Sequence, residues 1–197
     1  GEDGGADLMV REGVLKNPGV DAIFGLHINS GLEVGKIAYR PGGAMASVND
    51  MKIIVKGKSS HGGYPWNSVD PIVASAQIIN NLQAIVSRNL NVTENAGVVT
   101  VGAIHGGNRS NIIPEQVEML GTIRPLSNED EKMLIRRVKE VVIKTAESAG
   151  ATAEIIIPYS DHDPVTYNDP ALTEQMLSTL QRVAGKENVF LKPAVTG

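Results

Sequence analysis

Hydrophobic and polar positions change period several times along this chain, and each change marks an element. Met51, Ile53 and Val55 alternate with Lys52, Ile54 and Lys56, the two-residue period of a strand with one solvated face. Asp70-Pro71 then opens a helix, with a carboxylate at the N-cap and proline at the first helical position. Ile72, Ala76, Ile79 and Val86 recur at helical spacing and form its expected inner stripe. Two strands follow, near 98–104 and 116–124. A second helix starts at Ser127-Asn128-Glu129-Asp130, where the helix dipole favours acidic residues. Leu134, Val138, Val141, Thr145 and Ala149 are its expected inner stripe, with Gly150 as its stop. A strand over 152–157 completes a β-α-β-β-α-β order, which predicts an antiparallel four-stranded sheet with both helices on one face. The unit spans residues 45–158.

The flanks follow a different pattern. A short helix is expected over 6–15, then a turn at Asn17-Pro18-Gly19. The nearly continuous apolar run Ala22-Ile23-Phe24-Gly25-Leu26-His27-Ile28 predicts a strand covered on both faces. A further strand over 36–40 leads into Pro41-Gly42-Gly43, a natural hinge. Beyond the central unit, Asn168-Asp169-Pro170 caps another helix, with Leu172, Leu177, Leu180 and Val183 inward and Gly185 closing it. A short strand is expected at 189–191. The predicted fold is therefore α+β: a ferredoxin-like unit (45–158) inserted between two pieces, 1–44 and 159–197, of a partial α/β domain.

Composition narrows the function. The chain has 197 residues and a net charge of −4, with no Lys/Arg run long enough to make a basic stripe. Nucleic acid and anionic membrane surfaces are thereby unfavourable partners. Aromatic residues make up only 4%, too few for single-strand stacking platforms. The chain contains no cysteine, so a disulfide framework or a thiolate metal site cannot form within it. No apolar run is long enough to span a bilayer, and the first residues, Gly1-Glu2-Asp3-Gly4-Gly5, are unlike a signal peptide. A cytoplasmic location is the expectation.

Candidate chemistry lies mostly in loops. His27 closes the predicted buried strand, at the edge where open α/β sheets place their sites. A core histidine satisfied by its neighbours fits that position equally well, and one histidine cannot make a metal site. His61 sits in the glycine-flanked loop Gly57-Lys58-Ser59-Ser60-His61-Gly62-Gly63-Tyr64-Pro65, which has little packing of its own and can present an imidazole to a ligand. Asn111, after Gly106-Gly107-Asn108, has an amide able to donate to a carboxylate or an oxyanion, or simply to close an Asx turn. Arg124 ends a strand before Pro125 and could clamp a carboxylate, or be a surface arginine. His105 and His162 sit among polar neighbours and read as structural or solvated. Asp161 and Asp163 beside His162 hint at a weak cation site, for which an ordinary loop is the simpler account.

Together these stretches resemble the aminoacylase and hippurate hydrolase family of dinuclear metallopeptidases. The resemblance rests on Asp21 to His27, Gly57 to Gly63 with Pro65 and Asp70-Pro71, Gly106-Gly107 with Asn111-Ile112-Ile113-Pro114, and Gly121-Thr122-Ile123-Arg124. Gly4-Gly5-Ala6 and the stretch from Val165 to Pro170 fit the same pattern. The resemblance implies hydrolysis of the amide bond of N-acyl amino acids such as hippurate, assisted by two divalent ions (Zn, Mn or Co). His27 would ligate one ion. His61 would reach across a homodimer to polarise the scissile carbonyl in the neighbouring subunit's site. Asn111 and Arg124 would hold the substrate's carbonyl oxygen or carboxylate. The central unit would be the lid domain, pairing sheets edge to edge through a strand and a helix. The family's glutamate general base and its other metal ligands have no counterpart in this chain, so it is expected to be a fragment that binds no complete metal pair and is inactive alone. A dipeptidase or carboxypeptidase of the same family is the alternative within enzymes. A non-catalytic dimerisation module and a small-molecule regulatory domain share the topology.

Overall fold

The computed structural model describes residues 5–160 and 162–196. The first flank carries helix α1 (Gly5–Arg11) and strands β1 (Ile37–Tyr39) and β2 (Gly42–Met45). The central unit contains β3 (Asn49–Lys56), β4 (Ser60–His61), α2 (Pro71–Asn89), β5 (Gly97–Gly106), β6 (Ile112–Ile113), β7 (Gln116–Pro125), α3 (Asn128–Ser148) and β8 (Thr152–Ile156). The second flank adds β9 (Thr166–Asn168), α4 (Pro170–Ala184) and β10 (Val189–Leu191).

Four strands form one antiparallel sheet in the order β5-β7-β3-β8, and both long helices cover one of its faces. This is the predicted β-α-β-β-α-β unit. Its core is the alternating set foreseen on β3, with Met51, Ile53 and Val55 buried against Met119 and Ile123 of β7. Leu134, Val138 and Val142 of α3 close over them. The helix starts obey the expected chemistry. Asp70 Oδ1 accepts hydrogen bonds from the amides of Ile72 (2.8 Å) and Val73 (3.3 Å). Ser127 Oγ accepts from the Asp130 amide at 3.0 Å. Gly150, at φ +72°, ends α3 in the left-handed conformation that suits glycine.

Five expectations need correction. The fully buried stripe of α2 is Ala74, Ile78, Leu82 and Ile85; of the expected residues Ile79 and Val86 pack half-buried against the core, whereas Ile72 and Ala76 are exposed. The buried face is therefore centred on a stripe beside the expected one, with Ile79 and Val86 at its margin. On α3, Val142 takes the buried place expected for Val141. On α4, Leu172, Leu177 and Leu180 are half-buried, but Val183 is 71% exposed. Finally, 22–28 is not a strand: Leu26 is 85% and Ile28 90% exposed. Among the described residues no strand lies alongside to take its backbone groups, and an apolar run becomes a buried strand only between neighbours. Helix α1 is also shorter than expected, because Gly13 turns the chain at φ +88°.

The two connections between flank and centre lie side by side. Strand β2 pairs antiparallel with β9 through Gly42↔Asn168 and Gly43↔Tyr167, and Val48 exchanges backbone hydrogen bonds with Asp163. Beside them, buried Asn49 donates to Glu131 Oε1 at 2.6 Å, and His162 Nε2 meets the same oxygen at 2.9 Å. His162 is therefore structural. Asp161, named above with Asp163 as a weak cation site, lies outside the described residues. Burial pushes the Glu131 carboxyl up, but hydrogen bonds from Asn49, His162 and Ser47 outweigh it and leave it below the ordinary carboxylate value.

Two expectations about stability follow from this packing. Leu82→Ala should cost about 2–5 kcal/mol in urea unfolding, as buried leucines do, while Val183→Ala should stay within about 0.5 kcal/mol. Because the Glu131 carboxyl is depressed in the fold, its contribution is fully present above the ordinary carboxylate pKa of about 4.3 and is lost as pH falls through the lower native value. Unfolding midpoints of Glu131→Gln and the unaltered protein should therefore converge below about pH 4. A difference that persists undiminished into more acid solution would contradict this assignment.

Candidate functional site

Strand β3 ends at Lys56, and the chain turns back at once. The Gly57 amide donates to Glu115 O at 2.8 Å, and Lys58 and Val69 exchange backbone hydrogen bonds of 2.9 and 3.1 Å. A Cβ on Gly57 would lie 2.1 Å from Val69 O, so only glycine permits this closure. Inside the closed loop β4 pairs antiparallel with β6, setting Ser60 against Ile113 and His61 against Ile112. Ser59 Oγ donates to Ile113 O at 2.7 Å, and the Gly62 amide donates to Asn111 O at 2.7 Å. His61 and Asn111, far apart in sequence, thus share one end of the sheet.

The His61 ring is oriented by its own loop. The Gly63 amide donates to His61 Nδ1 at 3.0 Å. A neutral imidazole has one acceptor and one donor nitrogen, so Nδ1 as acceptor places the proton on Nε2. His61 is exposed, and that N–H is a ready donor to a carbonyl oxygen or an oxyanion. Next to it stand Tyr64 (ring centroids 5.7 Å apart, tilted 51°) and then Trp66, edge-on to Tyr64 at 5.6 Å and 81°. Gly62, Asp70, Ile72, Asn108 and Arg109 border an open depression of about 440 Å³ beside this loop.

Arg124 lies elsewhere. It sits near the far end of β7, eight residues beyond Gln116, a separation of about 27 Å along the strand. Its Nε donates to Thr122 Oγ1 at 3.3 Å and its Nη1 to Thr196 O at 3.5 Å. His27 is exposed on the irregular 22–28 segment rather than at the end of a buried strand, and its Nδ1 lies 2.6 Å from Ile28 O. Among the described residues no group of three or more His, Asp or Glu side chains could hold a metal ion. A protein-held metal needs three or four ligands, so the described side chains do not fit one by themselves. His105 stands opposite Glu118 in the β5–β7 register, where Glu118 pairs with Lys52 at 2.7 Å across the outer face of the sheet.

The structure thus unites His61 with Asn111 and leaves Arg124 and His27 apart. Two features escaped the sequence patterns. The Asn49–Glu131–His162 cluster has no local signature, because its members meet only through the sheet and the connections. Tyr64 and Trp66 carried a usable signal, two large aromatics in one loop of a chain poor in them.

Comparison with known proteins matches residues 46–150 to the peptidase dimerisation domain family. The chain is 43% identical over 150 residues to the N-acetylcysteine deacetylase of Bacillus subtilis, covering 76% of this chain and 39% of that protein. It is 35% identical over 181 residues to thermostable carboxypeptidase 2 of Saccharolobus solfataricus, covering 92% and 45% of the two chains. Among solved structures, a dinuclear metal-binding peptidase of the M20 family from Bacillus subtilis superimposes with a TM-score of 0.74 at 30% identity, over 98% of this chain and 46% of that one. The chain spans about half or less of the length of these relatives.

The Gly63–His61 contact makes a spectroscopic prediction. At alkaline pH, where imidazole is neutral, nitrogen–proton correlation spectra should show His61 as the Nε2–H tautomer. A dominant Nδ1–H signal would contradict the geometry.

Proposed function

Since the chain belongs to the peptidase dimerisation domain family, we propose that the whole protein is a metal-dependent amidohydrolase acting on N-acyl amino acids, hippurate-like ones included. Residues 45–158 are its lid, and 1–44 and 159–197 contribute to its catalytic domain. The supporting observation is the placement of polar groups at opposite ends of one sheet: His61 and Asn111 at one, Arg124 at the other.

A single subunit cannot bring these groups to one small substrate, but two can. Strand β5 is an edge of the sheet whose outer side pairs with no strand among the described residues, and it runs from the Arg124 end to the Asn111 end. Antiparallel pairing with a second copy of β5 joins the two sheets. It sets Arg124 of one subunit beside the partner's His61 and the partner's Asn111. The exposed Ile72 and Val73 of the neighbouring helix α2 extend that contact. A homodimer of this kind is isologous, with two equivalent composite sites.

In such a site each residue has a definite task. The Nε2–H of the partner's His61 donates to the scissile carbonyl oxygen and holds the negative charge that grows there, as preorganised donors do. The partner's Asn111 offers a second amide donor. Arg124 clamps the free carboxylate of the amino acid through two parallel hydrogen bonds. His27 is the residue of this chain assigned to the metal pair (Zn, Mn or Co), and a metal would supply an activated water for the hydrolysis. Among the described residues no group of three or more His, Asp or Glu side chains that could hold a metal ion includes His27.

Likeness to a carboxypeptidase keeps one alternative, cleavage of unacylated peptides by the same arrangement. The test uses the whole protein with N-acetyl amino acids, N-benzoyl amino acids and plain dipeptides, each with added metal and with a chelator control. Chelator-sensitive release from the acylated set is expected, and activity on dipeptides alone would transfer the assignment to the peptidase. His61→Ala should lower kcat by about 10²–10³-fold, and Arg124→Ala should also be poorly active. Co-expressing the two variants should restore about a quarter of the normal sites, because half of the mixed dimers' sites receive both residues. Absence of any recovery would refute the shared site.

A further inference from the structure

We infer that Tyr64 and Trp66 form an aromatic ledge that selects the acyl group of the substrate, favouring flat aromatic acyl groups over acetyl. This rests on the amidohydrolase function proposed above and names the part of the substrate that the His61 loop recognises.

Three observations lead to it. First, both rings are displayed to solvent: Trp66 is 74% and Tyr64 56% exposed. Neither belongs to the core beneath the sheet. The pair adds little to the core and leaves its rings free to meet a ligand.

Second, the display is rigid. The Tyr64 amide donates to His61 O at 2.8 Å, the Asn67 amide to Tyr64 O at 3.1 Å and the Ser68 amide to Pro65 O at 3.0 Å. Ser60 Oγ and Ser68 Oγ add bonds to Tyr64 O (3.2 Å) and Pro65 O (2.7 Å). The backbone that carries the rings is thus fixed before any ligand arrives, which lowers the entropic cost of binding one.

Third, the rings continue from His61 in an unbroken row, with centroid spacings of 5.7 and 5.6 Å. Both lie within the 4.5–7 Å range of favourable aromatic pairs. The edge-on arrangement of Tyr64 and Trp66 leaves ring faces free to take another ring. No charged side chain interrupts the sequence from His61 to Asn67.

Geometry then assigns the acyl side to this ledge. His61 Nε2–H marks the position of the scissile carbonyl oxygen, and the acyl substituent is bonded to that same carbonyl carbon. The amino-acid side extends toward the carboxylate held by Arg124, which comes from the opposite end of the other sheet. The group left beside the His61 loop is the acyl substituent. A benzoyl ring can stack in the row, whereas an acetyl methyl offers little surface to it.

The experiment compares kcat/KM for the N-benzoyl and N-acetyl forms of one amino acid, using the whole protein with metal. In Trp66→Ala the benzoyl-to-acetyl ratio should fall about three- to tenfold, the factor one aromatic contact contributes. Trp66→Phe should restore most of it. Tyr64→Ala should shift the ratio in the same direction, and thermal unfolding midpoints should show that the variants remain folded. An unchanged ratio overturns the ledge, and so does an equal loss with both substrates. The equal loss would mean that the rings pack against protein when the lid closes. In either case the amidohydrolase function stands, because the unaltered protein still turns over acylated amino acids. No turnover of any acylated amino acid by the unaltered protein would overturn that function and the ledge together.

Discussion

The pairing of β3 with β7 is the contact on which the other features depend. Its antiparallel register, from Asn49↔Ile123 to Lys56↔Gln116, leaves no residue free to slip. A shift of one residue would turn Met51, Ile53 and Val55 out of the core and Lys52 and Lys56 into it. Because that register is fixed, the ends of both strands are fixed too. One end delivers the two loops that zip together as β4 and β6, and with them His61 and Asn111. The other end delivers Arg124. The central pair therefore acts as a rigid spacer that holds His61 and Asn111 at one end of the sheet and Arg124 at the other.

Around His61 the molecule concentrates constraint in a loop that lacks a hydrophobic core of its own. Closure at Gly57 and Val69, the short ladder to β6, and serine hydroxyls bonded to main-chain carbonyls all act on this one segment. Each bond is worth little net stability. Together they fix the nitrogen that carries the proton and hold two aromatic rings in open solvent. Such a loop spends its hydrogen bonds on preorganisation, the condition under which a polar donor is most effective toward developing charge.

The flanking segments show the same physics without partners. The central unit buries an apolar core between sheet and helices. The 22–28 run, also apolar, stays exposed because no neighbouring strand among the described residues satisfies its backbone. Where the flanks do find partners, they find each other. Strands β1 and β10 pair in parallel, β2 pairs with β9, and the Glu131 carboxylate joins β3, α3 and the second connection at one point.

The sequence by itself determined the order of elements, the helix caps at Asp70 and Ser127, the core face of β3 and the stop at Gly150. Each of these follows from contacts between residues close along the chain or from a strict two-residue period. It also singled out His61 and Asn111, through their glycine-rich surroundings, without placing them together. Tertiary structure alone decided that the buried face of α2 centres on Ala74, Ile78, Leu82 and Ile85 with Ile79 and Val86 at its margin, since several sets of its apolar residues have helical spacing and only the packing distinguishes them. It alone left 22–28 exposed, because burial belongs to a pair of surfaces and not to one. It alone put Arg124 about 27 Å along the strand from the His61 end and brought Asn49, Glu131 and His162 to a single oxygen, because distances between remote residues are set by strand register, and register is a property of the folded sheet.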